Sequence, residues 1–297
     1  MIHRILSVVV AVVASVLGYL ALWSGGTTLA LAASSYNSGG RLDPGALALV
    51  ALGVLLIAVA GMTVVFSSLG VIVVGAVHVL VGFVSILSPF EALRGPLPLP
   101  YQLINQVFDA NSPVNFGFYA SVPTGAGIAV GTVLLVAGIA ARGRTARVSQ
   151  FGRILSPILS VILGGVGVLI IVGQGAVVYA SQLQRGSWRV DFGVVGAIVL
   201  ATVLLAVAAF TLRWSSVGVF ALGAIVAVFG LATLFQPNAV RAALTPVSQD
   251  LATGFGMWSG SGNFALLGIV LLAVGFAVRV RARRRLSATG AQASTTV

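Results

Sequence analysis

The chain has 297 residues, of which 59% are hydrophobic and only 7% charged, with a mean hydropathy of +1.12. A water-soluble exterior needs far more charge, so the composition excludes a soluble globular protein and points to an integral membrane protein. The formal net charge is +11, but no basic groove with interleaved aromatics accompanies it, so nucleic acid is not implied; the lack of cysteine removes disulfides and thiolate metal sites.

A helix that crosses a roughly 30 Å hydrocarbon layer needs about 20 apolar residues. Eight stretches qualify in chain order: residues 5–22 (extending towards 33), 44–65, 69–90, 124–141, 154–180, 192–212, 217–235 and 264–280. The first invites a secretory reading, because Met1 to Arg4 is short and basic and Ala30-Leu31-Ala32 has a small-residue cleavage pattern. Its apolar run is longer than a signal peptide's, and it recurs in mid-chain, so it is taken as a span.

That recurrence is general. Arg41-Leu42-Asp43-Pro44-Gly45 returns 148 residues later as Arg189-Val190-Asp191-Phe192-Gly193, and the register holds through Ser67/Ser215, Gly70/Gly218, Gly75/Gly223, Gly82/Gly230 and Pro89/Pro237. Arg4 to Ser7 likewise recurs as Arg153 to Ser156, with Gly18/Gly167 in step. The sequence therefore predicts an all-α integral membrane protein with eight transmembrane helices, arranged as two tandem parallel four-helix repeats about a pseudo-twofold axis along the membrane normal. The expected divisions are a first repeat at 1–140, a basic cytoplasmic linker at 141–153, a second repeat at 154–283 and a disordered cytoplasmic tail at 284–297. The expected shape is two four-helix bundles side by side.

Positively charged flanks stay cytoplasmic. With both termini inside, the inner side holds Arg4, Arg142, Arg144, Arg147, Arg153, Arg213 and the five arginines from Arg279 to Arg285. All five acids, Asp43, Glu91, Asp109, Asp191 and Asp250, then fall outside. The Arg-only, Ala/Gly/Val-rich usage suggests a bacterial origin, and hence the bacterial plasma membrane. The inner turns are tight, whereas the outer segments 91–123 and 236–263 are long and share Phe116-Gly-Phe-Tyr119 and Phe255-Gly-Met-Trp258. Residues 101–109 read as a short interfacial helix. Trp23, Tyr119, Tyr179, Trp188 and Trp258 read as an interfacial aromatic belt.

Two constellations stand out. Arg41, Asp43, Arg189 and Asp191 form a candidate polar site at the outer rim, but both aspartates also sit where a helix N-cap belongs. His78 is the only ionisable side chain deep in a span, and an intramembrane ionisable group is a functional candidate by default; its repeat counterpart is Val226. Ser67-Ser68 and Ser215-Ser216 read as caps at the inner turns. No phosphate-binding loop, no His/Asp/Glu cluster at metal spacing and no nucleophile beside a histidine is present, so no cofactor, metal or catalytic residue is expected.

Three functional classes follow. The first is a non-catalytic scaffold or accessory subunit that contacts the lipid bilayer and presents extracytoplasmic segments to a membrane or extracytoplasmic protein partner. The alternative is a facilitator-type transporter or channel for neutral or lipidic molecules, with its path between the repeats. A membrane-embedded transferase is the third. A continuous polar cavity between the halves would favour transport, and a packed seam the scaffold.

Overall fold

The computed structural model of the protein describes residues 2–35, 43–87, 99–109, 111–143, 150–185 and 191–294. These form twelve α-helices: α1 (Ile2–Ser35), α2 (Pro44–Met62), α3 (Ser68–Leu87), α4 (Leu99–Val107), α5 (Pro113–Ser121), α6 (Ala126–Gly143), α7 (Gln150–Arg185), α8 (Phe192–Phe210), α9 (Val217–Phe235), α10 (Pro237–Leu244), α11 (Gln249–Gly260) and α12 (Asn263–Ser294). Eight of them, α1, α2, α3, α6, α7, α8, α9 and α12, are long and apolar enough to cross a membrane. The protein is a multi-pass helical membrane protein whose outward-facing alkyl side chains, such as Val13 and Val16 on α1 and Val228 on α9, suit a lipid bilayer.

Local chemistry sets the helix ends. Pro44 supplies a fixed φ at the first position of α2, where its missing N–H costs nothing. Short 3-10 turns at Thr63–Val65 and Thr211–Arg213 tighten the ends of α2 and α8. In each turn the leading threonine returns its hydroxyl proton to a carbonyl three residues back, at 2.7 Å from Ala60 O and from Ala208 O. Ser67 and Ser215 Oγ then accept from the N–H of Leu69 and Val217, both at 3.2 Å. The capping expected of the serine pairs thus falls to the first member of each. Ser68 instead accepts from Arg142 Nε at 3.0 Å.

The arrangement of the spans differs from two bundles standing side by side. α1 packs on α2 and α3, and α3 on α6; α7 packs on α8 and α9, and α9 on α12. α2, however, docks on α12, and α8 on α6, while α6 and α12 also touch each other. Each half therefore lends its second span to the last span of the other. One physical reason is Gly61, which brings α2 against Val274 of α12 and Leu134 of α6, where an added Cβ would lie 3.0 and 3.5 Å from their methyl groups. The centre of the molecule is the α6/α12 pair, whose Val130, Val133, Leu134, Ala137, Val270, Leu271, Val274 and Ala277 are all at most 1% exposed.

Glycine sets the interhelical distances. A Cβ on Gly75 of α3 would overlap the backbone nitrogen of Leu135 on α6, and one on Gly131 would lie 2.8 Å from Gly75 O. Gly268 of α12 would likewise overlap the Ala227 backbone of α9, and Gly53 of α2 would meet Gly18 O of α1 at 2.6 Å. Gly131 thus serves contact within the chain, whereas an added Cβ on Gly127, one turn earlier, would meet only His78 O at 3.9 Å. Gly125 and Gly262, both at φ 77°, turn the backbone into α6 and α12, a conformation L side chains rarely adopt.

Two further differences concern the ends. The segment 236–263, read as a loop, contains α10 and α11, and Phe116 to Tyr119 and Phe255 to Trp258 lie on helices α5 and α11. The chain at 284–294, expected as a disordered tail, continues α12. Arg, Leu, Ala and Gln are good helix formers, and no proline follows Arg279 to stop the helix.

Replacing Gly75 or Gly268 by alanine should destabilise the protein by about 1–3 kcal/mol each through overpacking against backbone. Gly165, around which an added Cβ meets nothing within 4 Å, should accept alanine without loss. Thermal unfolding in mild detergent distinguishes the two outcomes.

Candidate functional site

The described carboxylates gather at one end of the helix axes, where Arg241 of α10 also lies, and most of the described arginines at the other. At the arginine end, Arg142 reaches Ser68, Arg281 Nη1 donates to Val64 O at 2.9 Å, and the Arg213 guanidinium lies near Gly143. The carboxylates of Asp43, Asp109, Asp191 and Asp250 belong to segments at the other end. There Asp43 Oδ1 accepts from Gly45 N at 2.8 Å, and Asp191 Oδ1 accepts from Gly193 N at 2.8 Å and Val194 N at 3.4 Å. Both are N-caps with extended backbone, so each neutralises the positive end of its helix.

Of the rim constellation only Asp43 and Asp191 are described, and they cap separate helices. Arg41 and Arg189 lie outside the described residues. α2 and α8 do not pack on each other, and each leans on a different member of the central α6/α12 pair. The two carboxylates stand at separate helix starts and already have backbone work to do.

His78 is different. Its ring sits on α3 facing α1, where Nδ1 lies 2.7 Å from Val74 O on its own helix and Nε2 lies 3.4 Å from Ser15 Oγ. A carbonyl only accepts, so the Nδ1 contact places the proton of the neutral ring on Nδ1 and leaves Nε2 to accept from the Ser15 hydroxyl. The Tyr19 ring lies 4.6 Å from the imidazole, centroid to centroid, and Trp23 lies 5.3 Å from Tyr19. Ser15, Tyr19 and Trp23 recur every four residues on α1, which lines them up on the face turned to α3.

Above Trp23 the column continues through α5 and α4. Phe118 meets Trp23 edge-on at 5.0 Å, Tyr101 meets Phe118 at 5.3 Å, and Tyr119 lies 4.8 Å from Tyr101. α5 can approach this closely because Gly117 sits directly on the Trp23 backbone, where a Cβ would overlap. Tyr119 Oη accepts from Asn105 Nδ2 at 2.9 Å, and Asn115 Nδ2 ties α5 to α4 through Phe108 O and Asp109 O at 3.3 and 2.9 Å. Burial pushes the Tyr101 phenol well above its ordinary range, with a hydrogen bond to Ser85 pulling the other way.

Within this column, Tyr19 Oη and Trp23 Nε1 are buried without a hydrogen-bond partner. Of the residues around His78 the sequence singled out only Trp23, as part of an interfacial belt, because serine and tyrosine are ordinary in membrane spans. The usable signal was the register that aligns Arg4 with Arg153, which sets Ser15, Tyr19 and Trp23 against Gly164, Val168 and Val172.

The corresponding corner of the other half is alkyl and aromatic. A Cβ on Gly164 would overlap Leu222 Cδ2, and Phe229, Phe255 and Phe264 form a ring cluster with centroids 5.1 to 5.6 Å apart. Trp258 is not part of an interfacial belt: it is fully buried and donates Nε1–H to Thr124 O at 3.2 Å, a bond between the two halves. Among the described residues no group of three or more His, Cys, Asp or Glu side chains is placed to hold a metal ion.

Comparison with family models, with curated proteins and with solved structures finds no match to this chain.

Asp43→Ala and Asp191→Ala should each cost about 1 kcal/mol as lost caps, and the double variant about the sum, since the sites share no partners. Stability curves of the three variants check this; a strongly non-additive pair would instead indicate one joint site. The folded state holds the Tyr101 proton more tightly than the unfolded chain does. Its stabilising contribution is therefore complete below the free phenol's value of about 10 and is lost as pH rises beyond it. Tyr101→Phe should flatten the decline of the unfolding midpoint measured above that pH.

Proposed function

We propose that the protein is a non-catalytic polytopic scaffold or accessory subunit of a bacterial plasma membrane, built by duplication of a four-span unit about a pseudo-twofold axis, which presents its extracytoplasmic segments to an envelope partner. The observation that carries the reading is the centre of the molecule. A path between the halves would have to run along α6 and α12, and their facing side chains are alkyl groups packed to near-zero exposure. That seam suits a rigid frame better than a solute route.

Several pairs of contacts support the duplication. Ser7 and Ser156 each donate to the carbonyl of a turn serine, Ser67 O and Ser215 O, at 3.2 Å. Gly70 rests on Ser7 O and Gly218 on Ser156 O. Gly26 approaches Ser261 O across the seam, and Gly175 approaches Thr124 O in the opposite sense.

The arginine end is assigned to the cytoplasm with both termini, by the charge asymmetry of the loops. The opposite end then carries the four short helices α4, α5, α10 and α11 into the extracytoplasmic space. Phe116, Val107 and Val247 are 54%, 73% and 74% exposed there, a scatter of apolar anchors rimmed by polar residues.

The absence of native cysteine makes the orientation directly testable. Val247→Cys should react with an impermeant maleimide in intact cells, and Ala146→Cys only after the membrane is opened; the reverse pattern overturns the orientation. A photo-crosslinking residue at 116 or 247 should give one discrete adduct with a partner that also co-purifies stoichiometrically in mild detergent. Adducts scattered over many proteins, or none, would remove the subunit reading.

A further inference from the structure

The polar column beside His78 belongs to one half only. In the second half the same frame is built with Gly164, Val168, Val172 and Val226, so neither the hydroxyls nor the rings are needed to pack these helices. Tyr19 is 6% exposed, yet its hydroxyl has no partner, and the Trp23 indole N–H is equally unpaired. Buried polar groups are normally satisfied, above all in lipid where water cannot replace a lost partner. An orphaned phenol and an orphaned indole on successive turns of one helix face suggest a missing third party.

Its chemistry can be read from the groups that await it. Both orphaned groups are neutral hydrogen-bond donors, and His78 Nε2 is engaged as acceptor by Ser15. Among the described residues no carboxylate or guanidinium touches Ser15, Tyr19, Trp23 or His78, so a charged ligand would find no counter-ion in a low-dielectric setting. What fits is a neutral oxygen acceptor next to a flat or apolar body that can lie against aromatic rings.

Depth narrows the source. Ser7 of α1 is level with the α2–α3 turn, and Gly25 with Ala46 near the start of α2. At about 1.5 Å per residue, Tyr19 lies roughly 18 Å above Ser7 and Trp23 roughly 24 Å above it, in the half of the span nearer the acidic end. Gly25 lies only about 9 Å beyond Tyr19 and about 3 Å beyond Trp23, so a molecule dissolved in the leaflet at that end reaches the site.

We infer that the contact face between α1 and α3, beneath α5, binds a neutral membrane-dissolved molecule through a carbonyl oxygen that accepts from Tyr19 Oη–H and Trp23 Nε1–H beside His78. Such a carbonyl is carried by an isoprenoid quinone ring and by the ester of a neutral acylglycerol. The site stands apart from the partner-docking surface: loss of the partner leaves it intact, and its own failure leaves the docking reading intact.

The test uses the full chain in nanodiscs of ether-linked phosphatidylcholine, which carry no ester carbonyl of their own. Ubiquinone-2 and dioctanoylglycerol are titrated separately, with equilibrium binding and the shift in unfolding midpoint as readouts. Saturable one-to-one binding of either probe is expected, the quinone alone assigning the ring and the glyceride alone the ester. Tyr19→Phe and Trp23→Phe should each weaken that binding about tenfold, the scale of one lost hydrogen bond. Without ligand, Tyr19→Phe should be as stable as the parent or more so, because it removes a buried hydroxyl that has no partner. A fold defect would instead lower the ligand-free midpoint. Failure of both probes to saturate, or binding by Tyr19→Phe and Trp23→Phe equal to that of the parent, overturns the proposal.

Discussion

Close backbone approach at glycine is the constraint from which the rest of the structure follows. Lipid tails are as apolar as leucine, so helices in a membrane gain little by burying alkyl surface against each other and must gain dispersion contacts by coming near. Gly75 against Leu135, Gly268 against Ala227 and Gly53 against Gly18 are points where no other residue leaves room. Once these pairs are fixed, α3 is committed to α6 and α9 to α12, and the two last spans are held where they can meet. The exchange of α2 and α8 across the seam follows from that placement. Outside the His78 column, much of the polar work falls at the helix ends, where Asp43 and Asp191 cap, Thr63 and Thr211 close the tight turns, and Arg142 and Arg281 reach back to the α2–α3 hairpin.

Features of short range were legible in the residues themselves. The eight apolar stretches reappear as helices with ends shifted by a few residues, because length and composition decide whether a segment spans. The N-caps were legible for the same reason: Asp followed by Pro-Gly or Phe-Gly at the head of an apolar run leaves the carboxylate little else to do than accept from the free N–H groups. Long-range choices were not legible. α2 and α8 are apolar on every face, so no periodicity says which face meets which neighbour, and Gly61 gives no hint that its contact lies on α12. Trp258 shows the same limit. A tryptophan near a predicted interface looks like a lipid anchor, and only the fold reveals that Thr124 O lies within reach of its indole.

His78 was conspicuous from rarity alone, whereas its surroundings became meaningful only in three dimensions. Ser15, Tyr19 and Trp23 are unremarkable one by one. Aligned on one face of α1 and set against an imidazole, they make a chain of rings that leads from mid-membrane to the helices at the acidic end, with α5 held against it by Gly117.

Comparison of the two halves at the level of volume sharpens what that chain means. In the second half the position of Ser15 is Gly164, and the space so released is occupied by Leu222, which stands where the first half has the shorter Val74. Large and small residues have changed places while the helices remain neighbours, as expected of a core that conserves total volume. The alkyl solution places no polar side chain at these positions. The first half fills the same interval with a hydroxyl, a phenol, an indole and an imidazole, two of whose polar atoms find no partner. If the two halves share one frame, an alkyl corner suits it, and the polar corner carries an energetic cost that packing does not require; a ligand for Tyr19 and Trp23 would offset that cost.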